Sequence, residues 1–287
     1  MYYGLIILSV LMFGGCFALQ DVYRKMRGSG LCISLESSLV GAVAGFLVLF
    51  VANGLRMEFT LFTFFVALLA ALNSIAFTFC SFKALDFINL SLFSLFSMLG
   101  GMVLPFLQGI LFYGEALTLA KVLCLVLIAA ALCLTVSRGE KKKGTLYYIG
   151  IFVLNGMSGV LSKIFASSSM EKTSSLGYSV WMAICTAAIS GTLLLILARK
   201  QETQKKYSLK AFSVSAAQGS VNRIANLLLV MALAHVDASV QYPMVTGGVM
   251  IVSTLICFFG PKKPSKKELV SVVLAFVGML TLFVLPI

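Results

Sequence analysis

Ser215, Gln218, Asn222 and Asn226 follow one another at spacings of three, four and four in an otherwise apolar stretch. On an α-helix this spacing puts four hydrogen-bonding side chains on one face, with Arg223 beside it. In hydrocarbon such groups are costly, so they are expected to meet protein, water or a polar ligand. An arginine near a bilayer centre costs about 3 kcal/mol on insertion scales. Two arrangements relieve that cost: contact with a solute or ion, or an ion pair with Glu36, the one acid well inside an apolar run. A guanidinium fork suits a carboxylate or a phosphate.

Other polar groups sit in similar surroundings. Asn155, Ser158 and Lys163 share one apolar run, where Lys163 either snorkels to the interface or joins Arg223 in a positive cavity. Ser91, Ser94 and Ser97 recur every three residues, and Ser239, Gln241, Tyr242 and Thr246 supply hydroxyls and an amide. Asparagine and glutamine can contact a solute or bond helix to helix. Phe13 and Phe77 are candidate walls for an apolar portion of the solute, with lipid-facing packing as the alternative. His235, the single histidine, is expected at an interface rather than in a proton relay. Seven cysteines without a CxxC pair are expected to pack as small apolar fillers, with no disulfide, metal or cofactor. One histidine and scattered carboxylates offer no catalytic constellation, so an enzyme is not expected.

The elements that must hold these groups are set by composition. Hydrophobic residues make up 60% of the chain and charged ones 11%, far from a soluble domain. The apolar runs reach the ~20 residues needed to cross a bilayer as helices. They predict an all-α integral membrane protein with ten spans: 2–20, 31–54, 60–82, 88–112, 117–137, 145–167, 177–198, 211–234, 238–259 and 268–286. The first is expected to be a permanent helix, since it lacks a basic leading segment and aligns with the span that begins at Tyr147. Continuous apolar runs, rather than short alternating strands, argue against a barrel.

The chain is also written twice. Asn73-Ser74-Ile75-Ala76 recurs as Asn222-Arg223-Ile224-Ala225, Ala84-Leu85 as Ala232-Leu233, and Gly100-Gly101 as Gly247-Gly248, at separations of 149, 148 and 147 residues. The halves are 1–138 and 145–287, and Asn73 is the counterpart of Asn222 across the expected pseudo-symmetry axis. Five spans per copy insert the copies in opposite senses, the plan of a carrier whose halves rock about a shared site. The paired glycines are expected at close helix crossings, and Pro105 and Pro243 at kinks.

Charge orients the bundle. The formal net charge is +12, yet 17 of the 22 Lys and Arg residues fall between spans one and two, three and four, five and six, seven and eight, and nine and ten. Three (Arg56, Lys121, Lys172) fall at the opposite end. This asymmetry predicts cytoplasmic basic loops and both termini on the non-cytoplasmic side of an inner membrane. It also accounts for the charge through topology and anionic lipid, with no nucleic-acid partner.

Ala84-Leu85-Asp86-Phe87-Ile88-Asn89-Leu90-Ser91, the span containing Pro105, and Phe112-Tyr113-Gly114-Glu115-Ala116-Leu117-Thr118 together resemble the drug/metabolite transporter superfamily in its ten-helix EamA-type form. The second copy departs from that pattern, since Lys262 stands near the position of a second glutamate. The resemblance implies two inverted five-helix repeats and a central cavity lined mainly by spans one, three, four, six, eight and nine. It also implies export or exchange of a small metabolite.

The expectation is therefore a secondary transporter for a small polar solute, an amino acid or another anionic or zwitterionic metabolite. Its partners would be that solute and membrane lipid, and the protein would be a monomer or homodimer. Glu36 is the candidate for proton coupling. The alternatives are a cation or quaternary-amine carrier, with aromatic walls and Glu36 as the recognition groups, and a non-transporting membrane scaffold or embedded enzyme.

Overall fold

The computed structural model describes residues 2–113, 118–135, 142–198, 208–233, 238–260 and 263–284. Among them are ten helices and no strand: α1 (Tyr2–Arg27), α2 (Leu31–Ala52), α3 (Leu61–Phe87), α4 (Leu90–Tyr113), α5 (Leu119–Thr135), α6 (Lys142–Ser167), α7 (Ser175–Ala198), α8 (Leu209–Leu233), α9 (Ala238–Phe258) and α10 (Lys266–Val284). Each corresponds to one of the ten apolar runs. Helix α1 continues past its run because nothing breaks it before Gly28, whose φ of +104° ends the helix with a 2.6 Å bond from its N–H to the Arg24 carbonyl.

Helices α1, α2, α3, α4, α6 and α7 are long and apolar enough to cross a membrane. Their outward faces carry large apolar side chains such as Leu47, Leu69, Leu146 and Leu195. The interior holds small hydroxyls instead: Ser9, Ser91, Ser94, Ser97, Ser190 and Ser253 are fully buried. Apolar outside and small within is the distribution that a lipid solvent favours, since helices there associate by close packing and hydrogen bonding. Helix α8 carries the polar stripe, which lowers its hydropathy.

The packing has a regular order. Helix α1 packs on α8 and α9, and α6 packs on α3 and α4; α2 meets α8 as α7 meets α3. The pairs α2 with α7, α4 with α9, and α5 with α10 complete the nine most extensive pairings. Advancing every label by five maps these nine onto themselves, whereas the weaker contact of α2 with α3 has no counterpart of like extent among the described residues.

The crossings rest on glycine, as expected from the paired glycines. A β-carbon on Gly100 would overlap the Phe152 carbonyl of α6, and one on Gly219 would overlap the Gly41 backbone of α2. Gly101 accommodates the Asn155 amide, Gly248 accommodates Val10 of α1, and Gly247 accommodates Phe276 of α10. The Pro105 ring lies against Gly159. Cys16, Cys124, Cys185 and Cys257 are buried as apolar fillers, whereas Cys133 is exposed.

The two ends of the bundle differ in chemistry. At the basic end Arg24 of α1 bonds Asp21 at 2.7 Å and Asp86 of α3 at 2.6 Å, and Asn89 before α4 bonds Glu268 of α10 at 2.6 Å. At the other end Glu58 accepts from the Ser174 backbone at 2.6 Å and from its hydroxyl at 3.0 Å, joining the α2–α3 and α6–α7 links. Lys172 places its ammonium on the Phe165, Ala166 and Ser168 carbonyls, where it complements the negative end of α6.

Candidate functional site

Ser34, Ser37, Gly41 and Gly45 place small side chains on one face of α2, and this lets α8 approach until Gly41 and Gly219 touch through their backbones. Ser215 donates to the Ser37 carbonyl at 3.1 Å beside that contact. Past the crossing the helices leave a polar pocket of about 80 Å³. Its lining comes from α2 (Ser37, Ser38, Gly41, Ala42), α3 (Ser74, Thr78), α7 (Thr186) and α8 (Gln218, Gly219, Asn222, Arg223).

Arg223 dominates its electrostatics. The aliphatic stem lies along α2 at Gly45, where a β-carbon would come within 2.8 Å of Arg223 Cγ. The guanidinium has no ion pair and no hydrogen bond among the described residues, and no carboxylate lines the pocket. Tyr178 of α7 is near enough to interact with it electrostatically. Two lining hydroxyls are turned inward on their own helices, Thr78 to the Ser74 carbonyl at 2.9 Å and Thr186 to the Met182 carbonyl at 2.7 Å. The Ser38 hydroxyl is buried without a partner.

Glu36 is not the partner of Arg223. Its carboxylate takes two bonds from Arg27, at 2.9 and 2.8 Å, and one from the Tyr23 hydroxyl at 3.3 Å. The cause is local: Gly28 turns the chain back at the end of α1 and brings the first turns of α2 alongside. The Arg27 side chain is 7% exposed, so Glu36→Gln removes the carboxylate from a largely buried cation and is expected to cost on the order of 3 kcal/mol. Replacing both partners by methionine should recover most of that loss in a thermal melt. A Glu36→Gln protein as stable as wild type would show that the pair contributes nothing.

The polar stripe divides. Gln218, Asn222 and Arg223 reach the pocket, Ser215 is committed to Ser37, and exposed Asn226 donates to the Asn222 carbonyl at 2.8 Å. Asn73 does not meet Asn222; it bonds the Leu154 carbonyl and the Ser158 hydroxyl, both at 2.8 Å, and so joins α3 to α6. Asn155 donates to the Ser97 carbonyl at 2.6 Å and joins α6 to α4. Ser94 bonds the Ser91 carbonyl within α4 at 2.8 Å. These groups bond helices or turns and do not line the pocket. Phe13 and Phe77 pack against the apolar core, Phe77 with its ring 6.4 Å from Phe93, so neither walls the pocket. Lys163 is half-buried on α6, also apart from it.

Gln241 and Tyr242 belong to α9 by backbone, but their side chains lie outside the described residues, as do His235, Gly114, Glu115 and Lys262. Sequence reasoning missed Ser37, Ser38, Ser74, Thr78 and Thr186. The four-residue recurrence of Ser37, Gly41 and Gly45 is the signal that could have marked α2 as a close neighbour. Helices α2 and α7 thus share the pocket with α3 and α8, in place of the six-span lining that the resemblance implied.

A larger cavity of about 250 Å³ opens at the basic end beside Asp21, Arg24, Lys25, Asn89 and Cys257. Its charges are mutually neutralised, with Lys25 to Asp21 at 2.5 Å and Arg24 held by two aspartates. Size favours that mouth, but the free guanidinium makes the smaller pocket the better recognition site.

No protein-family model matches the chain, and no curated protein matches it. Solved structures do match in fold. A crystal structure of a protein aligns over 96% of this chain and 98% of its own, with a TM-score of 0.58 at 15% identity. The helical arrangement is therefore shared with a solved structure along nearly the whole of both chains.

Proposed function

We propose that the protein is a ten-span secondary transporter of the drug/metabolite transporter kind. It is built from two inverted five-helix repeats and moves a small anionic or zwitterionic metabolite by alternating access. The observation that carries this reading is Arg223, a guanidinium without an acidic partner among the described residues, in a polar pocket where four helices meet. A carboxylate or phosphate on the solute would complete it. The contact order that repeats every five helices supports the two-repeat plan, and the charge asymmetry between loops supports cytoplasmic basic ends.

At about 80 Å³ the pocket is well below the ~300 Å³ of a small-molecule site, so loading requires the four helices to separate. That is the motion alternating access supplies. The test is a screen of the purified protein for thermal stabilisation by a metabolite library. Carboxylates or phosphates should raise the melting temperature of wild type and leave Arg223→Ala unmoved. Stabilisation by amines that survives the substitution would replace this reading with the cation carrier.

A further inference from the structure

We infer that the pocket between α2, α3, α7 and α8 binds a small monovalent inorganic anion of chloride size. The inference rests on the reading of Arg223 as a ligand group and goes beyond it, because it concerns the pocket before any metabolite enters. Three observations converge. The guanidinium can only donate hydrogen bonds, and the one acid near this region, Glu36, is occupied by Arg27 and Tyr23. The guanidinium is half-buried without a neutralising group among the described residues, and an anion beside it offsets the charge without moving a helix. Ser38 adds a buried hydroxyl with no partner in the same lining. With Thr78 and Thr186 directed to their own helices, the Ser38 hydroxyl and the Arg223 guanidinium share the space with the Gln218 and Asn222 amides.

Volume selects the ligand. About 80 Å³ holds a halide with residual water, and is too small to enclose an amino acid or a sugar phosphate. A metabolite carboxylate that enters as the helices part would meet the same donors and displace the ion. The solute would therefore exchange with a resident anion, and the two ligands would compete.

The experiment is thermal unfolding of the purified protein over a chloride series, with sodium isethionate holding ionic strength constant. Isethionate is the bulkier ion for this pocket. Wild type should gain a saturable rise in melting temperature. Arg223→Gln should show no such response, and Ser38→Ala should need about tenfold more chloride, the loss of one hydrogen bond to a charged group. A wild type indifferent to chloride, or an Arg223→Gln protein that responds like wild type, would overturn the inference. If Arg223→Gln fails to fold, the Ser38→Ala midpoint decides, and an unchanged midpoint overturns it.

The metabolite screen run in isethionate separates this inference from the solute reading. Metabolite stabilisation without a chloride effect sinks the anion site and leaves the transporter proposal. A chloride effect without any metabolite response does the reverse.

Discussion

Arg223→Ala is expected to lower uptake of the stabilising carboxylate or phosphate into proteoliposomes by at least about a hundredfold, while the protein stays folded. Two hydrogen bonds to a charged group, at about 1.5 kcal/mol each, account for that factor. Folding should survive because, among the described residues, the guanidinium holds no partner whose charge would be stranded. Arg223→Lys keeps the charge but loses the planar fork, so it should fall between the two. Uptake at the wild-type rate by Arg223→Ala would refute the anionic-site model.

The second large effect lies at a helix crossing. Gly100→Val should leave little monodisperse protein on size-exclusion chromatography, with a loss of at least about 3 kcal/mol. Its β-carbon would enter the Phe152 carbonyl, a backbone group held in α6, so no side-chain rotation relieves the overlap. Gly101→Ala should be milder, because the atom in its way is the end of the Asn155 side chain. Gly15→Val, with open space at its β-carbon, is the control expected to behave as wild type. Equal yields from Gly100→Val and Gly15→Val would show that this crossing tolerates separation.

The helices were legible in the chain because lipid leaves so few ways to satisfy a backbone: ten apolar runs lead to ten helices. The close crossings were legible from paired glycines. The partners of individual polar side chains were not. Asn73 and Asn222 are repeat counterparts, yet Asn73 bonds α6 whereas Asn222 lines the pocket with α2, α3 and α7. A helix that is apolar all round carries no periodicity to say which face meets which neighbour. The alternative that pairs Glu36 with Arg223 fails for the opposite reason. The partner of Glu36 is nine residues away across a short link, at the end of the preceding helix rather than inside an apolar run. Gln218, Asn222 and Arg223 were found because their spacing is a property of α8 alone.

The ion pair at the start of α2 and the glycine contact further along it together make the helix a lever. Glu36 is fixed to Arg27, and Gly45 bears on the stem of Arg223. Nine residues separate the fulcrum from the load, about 13 Å at 1.5 Å per residue. A tilt of about 10° around the fulcrum would carry Gly45 through about 2 Å, the scale of helix shifts in switching proteins. A change in the tilt of α2 about its basic end would therefore be felt at the guanidinium, so the Glu36 grip and the site are mechanically linked through one helix.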